Sequence, residues 1–117
     1  MGITSVIGSV TGPTGERSGI EFLVDSGAFY TLVPYDDWQA IGLSPRRAQK
    51  FSLADRTVNE RQISECFIRI PQGEGTVPVV LGEPGDEALL GVTTLEYFAL
   101  MLNPFRRTLE PMRLTLA

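Results

Sequence analysis

The triplet Asp25-Ser26-Gly27 stands inside an otherwise apolar segment, FLVDSGAFYTLVP, residues 22–34. A carboxylate is rarely set among apolar neighbours unless it is paired or hydrogen-bonded. An apolar strand that delivers Asp-Ser-Gly into a second apolar strand has a specific physical use. Glycine permits a tight turn with close backbone approach. The turn offers N–H groups to the carboxylate, and the Ser26 hydroxyl can hydrogen-bond neighbouring backbone and lock the loop. The product is an acid held rigidly at the end of a core strand, which suits general acid–base chemistry.

Other chemistries are narrowed by what the chain lacks. It contains no His, which removes Ser-His and Cys-His nucleophile pairs and the commonest transition-metal ligand. Its one cysteine, Cys66, cannot build a structural zinc site and reads as a small apolar core residue. No GxxxxGK[ST] or GxGxxG phosphate loop is present. Acid–base work therefore falls to carboxylates. Lys50, the one lysine, lies in a polar stretch that reads as solvated. Asp36, Asp37 and Trp38 read as a helix start and its packing face. Glu83, Asp86 and Glu87 read as a solvated loop, with a place beside a cleft as the other possibility.

The elements that must carry the acid are short. Residues 3–10 and 19–24 read as strands around a turn at 11–15, and the second strand runs into the triplet. Residues 30–33 form another β-branched run. Pro34 opens a short helix over 35–41, with Asp36 and Asp37 in its first turn and Gly42 as its stop. Residues 51–53 and 57–70 read as hairpin arms around Ala54-Asp55-Arg56, and Cys66, Ile68 and Ile70 share one face. Residues 72–75 read as a turn. Residues 76–81 follow as a strand that Pro78 confines to an edge or bulge, then a loop over 82–87. Thr93 and Glu96 fit a capping box for a helix to about Ala99. Residues 100–102 are short and apolar, and Asn103-Pro104 turns the chain. Met112, Leu114 and Leu116 alternate with polar residues as a terminal strand. The sum is mainly β with two short helices, in a small barrel or sandwich.

At 117 residues the chain has the size of one domain. With 43% hydrophobic and 21% charged residues it can build a core. A net charge of -4 argues against a nucleic-acid surface. No apolar segment approaches the roughly 20 residues of a membrane span, and the first residues lack the basic region of a signal peptide. These features point to a cytoplasmic protein, and a single cysteine, which forms no internal disulfide, agrees.

VDSGA in its apolar frame resembles the active-site loop of aspartic proteases. Ala88-Leu89-Leu90-Gly91, leading into Val92-Thr93-Thr94-Leu95, is similar to the apolar-apolar-Gly segment before the C-terminal helix of that family. The order of elements matches over nearly the whole chain and is most similar to retropepsins, in particular small bacterial retropepsin-like proteins. The resemblance implies a closed, acid-protease β-barrel with one or two short helices, as a single domain over residues 1–117. It implies a homodimer cleaving a peptide or protein substrate, with one Asp25 from each subunit activating water. Ser26 and Gly27 would hold the geometry of Asp25. Ala28, Leu53, Ala54, Asp55, Leu90 and Gly91 would border substrate or back the loop. Retropepsins interleave their terminal strands, and residues 1–6 and 112–117 are apolar enough for this. No metal or organic cofactor is implied, and no nucleic acid or membrane partner.

Two departures stand out. The flap-like tip, residues 53–57, has no glycine. Phe29 and Tyr30 occupy positions where retroviral enzymes carry acidic residues that hold substrate backbone. Their plain reading is as core or wall residues. These departures motivate an alternative, a non-catalytic binding or dimerisation module of the same fold.

Overall fold

The computed structural model describes residues 4–116. Strand β1 (Ser5–Thr11) pairs antiparallel with β2 (Arg17–Val24), from Ser5 opposite Leu23 to Thr11 opposite Arg17. Val6, Val10, Ile20, Phe22 and Val24 are buried at period two, so one face of this ribbon points to the core. A three-residue strand, β3 (Thr31–Val33), leads into helix α1 (Tyr35–Ala40). The helix ends as its sequence dictates. Gly42 takes φ +75, Leu43 N–H donates to Trp38 O and Gly42 N–H donates to Gln39 O, the two bonds of a Schellman stop.

Strands β4 (Arg47–Ser52) and β5 (Val58–Ile70) form a long hairpin, and β6 (Gly73–Leu81) returns along β5. Then come β7 (Leu89–Leu90), α2 (Val92–Tyr97) and a small separate ribbon of β8 (Leu100–Asn103) and β9 (Thr108–Pro111). The main sheet runs β1-β2-β7-β3-β6-β5-β4, and β1 also pairs with β5. Six strands therefore make a closed circuit, and β4 hangs outside it as an edge. Val10, Phe22, Val33, Ile41, Ile68, Val77, Val79 and Leu90 lie almost fully buried within the core. Each such side chain contributes about 1.5–3 kcal/mol by leaving water.

Several sequence expectations need correction. The arm before the tip starts at Arg47, because polar side chains suit an edge strand with one face in water. The turn after β5 is Pro71-Gln72, and Gly73 to Gly75 already belong to β6. Pro78 does not mark an edge, since β6 lies between β3 and β5. It is tolerated because β3 begins its pairing only at Val79, one residue later. The terminal strand expected at Met112, Leu114 and Leu116 is absent from the described residues. The final strand is β9, and residues 112–116 carry no ladder, with Leu114 and Leu116 exposed. The expected participation of residues 1–3 and Ala117 in terminal strands lies outside the described residues.

Candidate active site

Asp25 is the first residue beyond β2, at the point where the closed sheet turns into a loop. Its side chain is half-buried, and Oδ1 accepts a 2.9 Å hydrogen bond from Gly27 N–H. Its own N–H donates to Leu90 O at 3.0 Å, and its carbonyl accepts from Ala28 N–H at 3.1 Å. The carboxylate is thus held by the turn; Gly27 does not take a positive φ there, and a Cβ on it would stand 3.2 Å from Asp25 Oδ1. The hydroxyl expected to lock the loop belongs to Ser26, which is exposed; Gly27 N–H, not that hydroxyl, grips the acid.

Leu89-Leu90-Gly91 backs the loop through main chain. β7 lies parallel to the end of β2, Leu23 beside Leu89 and Val24 beside Leu90. At Gly91 the chains touch: a Cβ there would stand 2.4 Å from the Tyr30 carbonyl oxygen and 2.9 Å from that of Ala28. No side chain fits, which gives the glycine of this segment its physical reason. The next N–H groups, of Val92 and Thr93, donate to Ala28 O and Phe29 O at 2.8 and 2.9 Å. The capping box expected from Thr93 and Glu96 is therefore replaced. Gly91 is the N-cap without a side-chain cap bond, and the loop's carbonyls satisfy N–H groups that a helix start leaves open.

A second anchor was not legible in the sequence. Thr31 and Thr94 are fully buried, with their hydroxyl oxygens 2.6 Å apart, and Thr31 Oγ1 also accepts from Gly91 N–H at 3.0 Å. In sequence Thr31 looks like any β-branched strand residue, and only the packing gives its hydroxyl a role.

A cavity of about 390 Å³ opens between this loop and the β4–β5 hairpin. Of the residues expected to border substrate or shape the site, Gly27, Ala28 and Leu53 line it. Leu90 and Gly91 lie behind the loop, while Ala54 and Asp55 sit on the exposed hairpin tip. The tip is closed on itself. Asp55 Oδ1 accepts from Thr57 N–H at 3.0 Å and from Thr57 Oγ1 at 2.6 Å, and Arg56 adopts φ 70. These bonds, the Thr57 hydroxyl's first, hold the Asp55 carboxyl below its ordinary value.

Phe29 and Tyr30 are not core residues. Phe29 is exposed, and both line the cavity as wall. Arg61 also reaches it and pairs behind it with Asp86 and Glu83, so Asp86 is not simply a solvated loop residue. Cys66 is buried, and burial pushes its thiol up to about 12. A larger hollow of about 620 Å³ among Glu21, Asp37, Asp86 and Glu87 includes none of the expected site residues. Among the described residues, no group of three or more His, Cys, Asp or Glu is placed to hold a metal ion. No described helix is long and apolar enough to cross a membrane.

Comparison with known proteins points the same way as this geometry. The model of a family described as aspartyl protease matches residues 8–94. No curated protein sequence matches. Among solved structures, the chain is similar to the protease of simian foamy virus (mac). That match has TM-score 0.58 and 15% identity, covering 80% of this chain and 92% of that one. It is similar also to the prototype foamy virus protease–reverse transcriptase. There the TM-score is 0.56 and the identity 15%, over 97% of this chain but 12% of that longer one. At such identity the likeness is one of fold, and the fold is retropepsin-like, as the motifs implied.

Proposed function

We propose, since this chain belongs to the aspartyl protease family, that it is an aspartic endopeptidase whose working unit is a symmetric homodimer. The observation that carries the reading is Asp25 itself. It is a half-buried carboxylate at a strand end, gripped by Gly27 N–H and tied through its main chain to Leu90. The chemistry needs two such groups, and the chain holds one Asp-Ser-Gly triplet. A second copy related by a two-fold axis would supply the other. Two carboxylates ~3 Å apart share one proton. The ionised member takes a proton from water, which attacks the scissile carbonyl, while the protonated member hydrogen-bonds the carbonyl oxygen. Ser26 and Gly27 set the loop. Ala28 and Leu53 border an extended peptide, Ala54 and Asp55 cover it, and Leu90 and Gly91 back the acid. Residues 113–116, exposed and in no ladder, are available to pair with a second copy.

Cleavage of a diverse peptide pool, followed by mass spectrometry from about pH 4 to 7, tests this against Asp25→Asn, which keeps the shape and removes the acid. Cleavage by wild type that vanishes in the variant assigns the chemistry to Asp25. Sedimentation of the same samples tests the dimer. A dimer that cleaves nothing favours the binding-module alternative, and a monomer at micromolar concentration removes the dyad.

A further inference from the structure

Tyr30 leaves the catalytic loop and meets the outer arm of the hairpin. Arg47 Nη2 donates to its hydroxyl at 2.7 Å, with the guanidinium carbon 5.9 Å from the ring centroid. Arg47 Nη1 is held in turn by Gln49 Oε1 at 2.7 Å. Phe51 lies on the same face of β4 as Arg47 and Gln49 and sets its ring edge-on to Tyr30, centroids 6.0 Å apart. Phe29 also packs edge-on against Tyr30, centroids 4.9 Å apart. Strand β4 is the outermost strand of its sheet, hydrogen-bonded to β5. Its tip is locked by Asp55 and by Leu53 N–H donating to Thr57 O at 2.8 Å. A hairpin stiff at its tip is thus clasped to the loop at Tyr30. The cavity has Ala28, Phe29 and Tyr30 on one wall and Phe51 and Leu53 on the other. The docking of the hairpin sets the distance between those walls.

We infer that Arg47 and Tyr30 form a latch. They are positioning residues that hold the whole hairpin against the Asp25 loop and thereby limit the size of substrate side chain the cavity admits. Release of this contact frees the edge strand β4 from the loop and lets it fray from β5, the one strand it pairs with. The word substrate rests on the peptidase reading; the latch does not.

The test is amide hydrogen exchange of the full chain, comparing wild type with Tyr30→Phe, Arg47→Met and the double variant. Tyr30→Phe keeps the ring and loses the hydroxyl, and Arg47→Met keeps an apolar stem. Loss of this solvent-exposed, charge-assisted hydrogen bond is expected to raise exchange over β4 about two- to fivefold. The β1–β2 ladder should be unchanged, and the double variant should resemble the singles because they break the same contact. Unchanged exchange over β4 would overturn the latch, as would an equal rise throughout the molecule. Peptide cleavage by the same proteins reads the consequence. The kcat/KM ratio of bulky to small side chains should rise several-fold in the variants, and an unchanged ratio would overturn the size limit. If wild type cleaves nothing, the peptidase reading fails while the exchange data still decide the latch.

Discussion

Thr31 and Thr94 face each other 2.6 Å apart, hydroxyl to hydroxyl, in a fully buried site, and Thr31 Oγ1 takes the N–H of Gly91 as well. Strand β3 and helix α2 are joined by this pair. Thr31→Val leaves Gly91 N–H without its acceptor in a dry environment. A loss of about 1–3 kcal/mol is expected in urea unfolding. Thr94→Val should cost less, because Gly91 keeps its partner. Thr31→Ser should recover most of the loss, since the hydroxyl returns. Equal costs for the two valines would mean that the Gly91 bond contributes nothing.

Gly91→Ala tests the close approach at the loop. The new methyl would meet the Tyr30 carbonyl at 2.4 Å, and the main chains there are fixed by the Val92 and Thr93 N–H bonds to Ala28 and Phe29. A destabilisation at or above the upper end of the usual overpacking range, about 3 kcal/mol, is expected from thermal or urea unfolding. Activity should fall with it, because relief of the clash moves Asp25. Gly15→Ala is the control. Gly15 has φ +88 but nothing within 4 Å of an added Cβ, so strain alone should cost about 1 kcal/mol.

Much of this was legible in the sequence where a local pattern had one physical solution. Asp25-Ser26-Gly27 between apolar runs had to be a strand-end turn, and Gly42 had to stop a helix. Period-two burial at Cys66, Ile68 and Ile70 had to be a core face. The misses share a different cause. Thr93 and Glu96 fit a cap that the loop carbonyls make unnecessary, and Pro78 implies an edge or bulge because the late start of β3 is invisible in the sequence. Arg61 and Arg47 gave no signal, and Tyr30, legible as a core or wall residue, gave none of its bond to Arg47, since these partners are distant in the chain. Wherever a hydrogen-bond partner came from another element, local reading failed, and most of the residues around Asp25 are of that kind.

Asp55 holds the hairpin tip while it is ionised. Its carboxyl titrates below the ordinary 3.8 because Thr57 donates to the charged form through hydroxyl and N–H. A depressed folded value means that the contribution is present above 3.8 and is lost as pH falls below it. Exchange of the Thr57 amide, corrected for intrinsic rate, should therefore rise below about pH 4 and stay flat above it. Asp55→Asn should show raised, pH-independent exchange at the same amide. A pH step persisting in that variant would assign the effect to another group.

Cys66 gives a prediction with the opposite sign. Its thiol is buried on the core face of β5, and burial alone raises it from an ordinary 9.0 to about 12. The thiolate is the reactive form, so the native protein at pH 8 should resist iodoacetamide, and labelling should follow global unfolding. The same shift fixes a stability window. A raised folded value means that stability is intact below 9.0 and declines as pH rises from there towards about 12. The unfolded chain releases this proton first, and each unit of pH then favours unfolding. Urea midpoints measured from about pH 8 to 10.5 should fall with a slope that Cys66→Ala lessens. That variant starts lower because it leaves a small cavity. Rapid labelling of the folded protein at pH 8, with unfolding shown to be slow, would mean that Cys66 is reachable from solvent. The adjoining cavity of about 220 Å³ among Leu43, Ser64 and Phe67 would be the route.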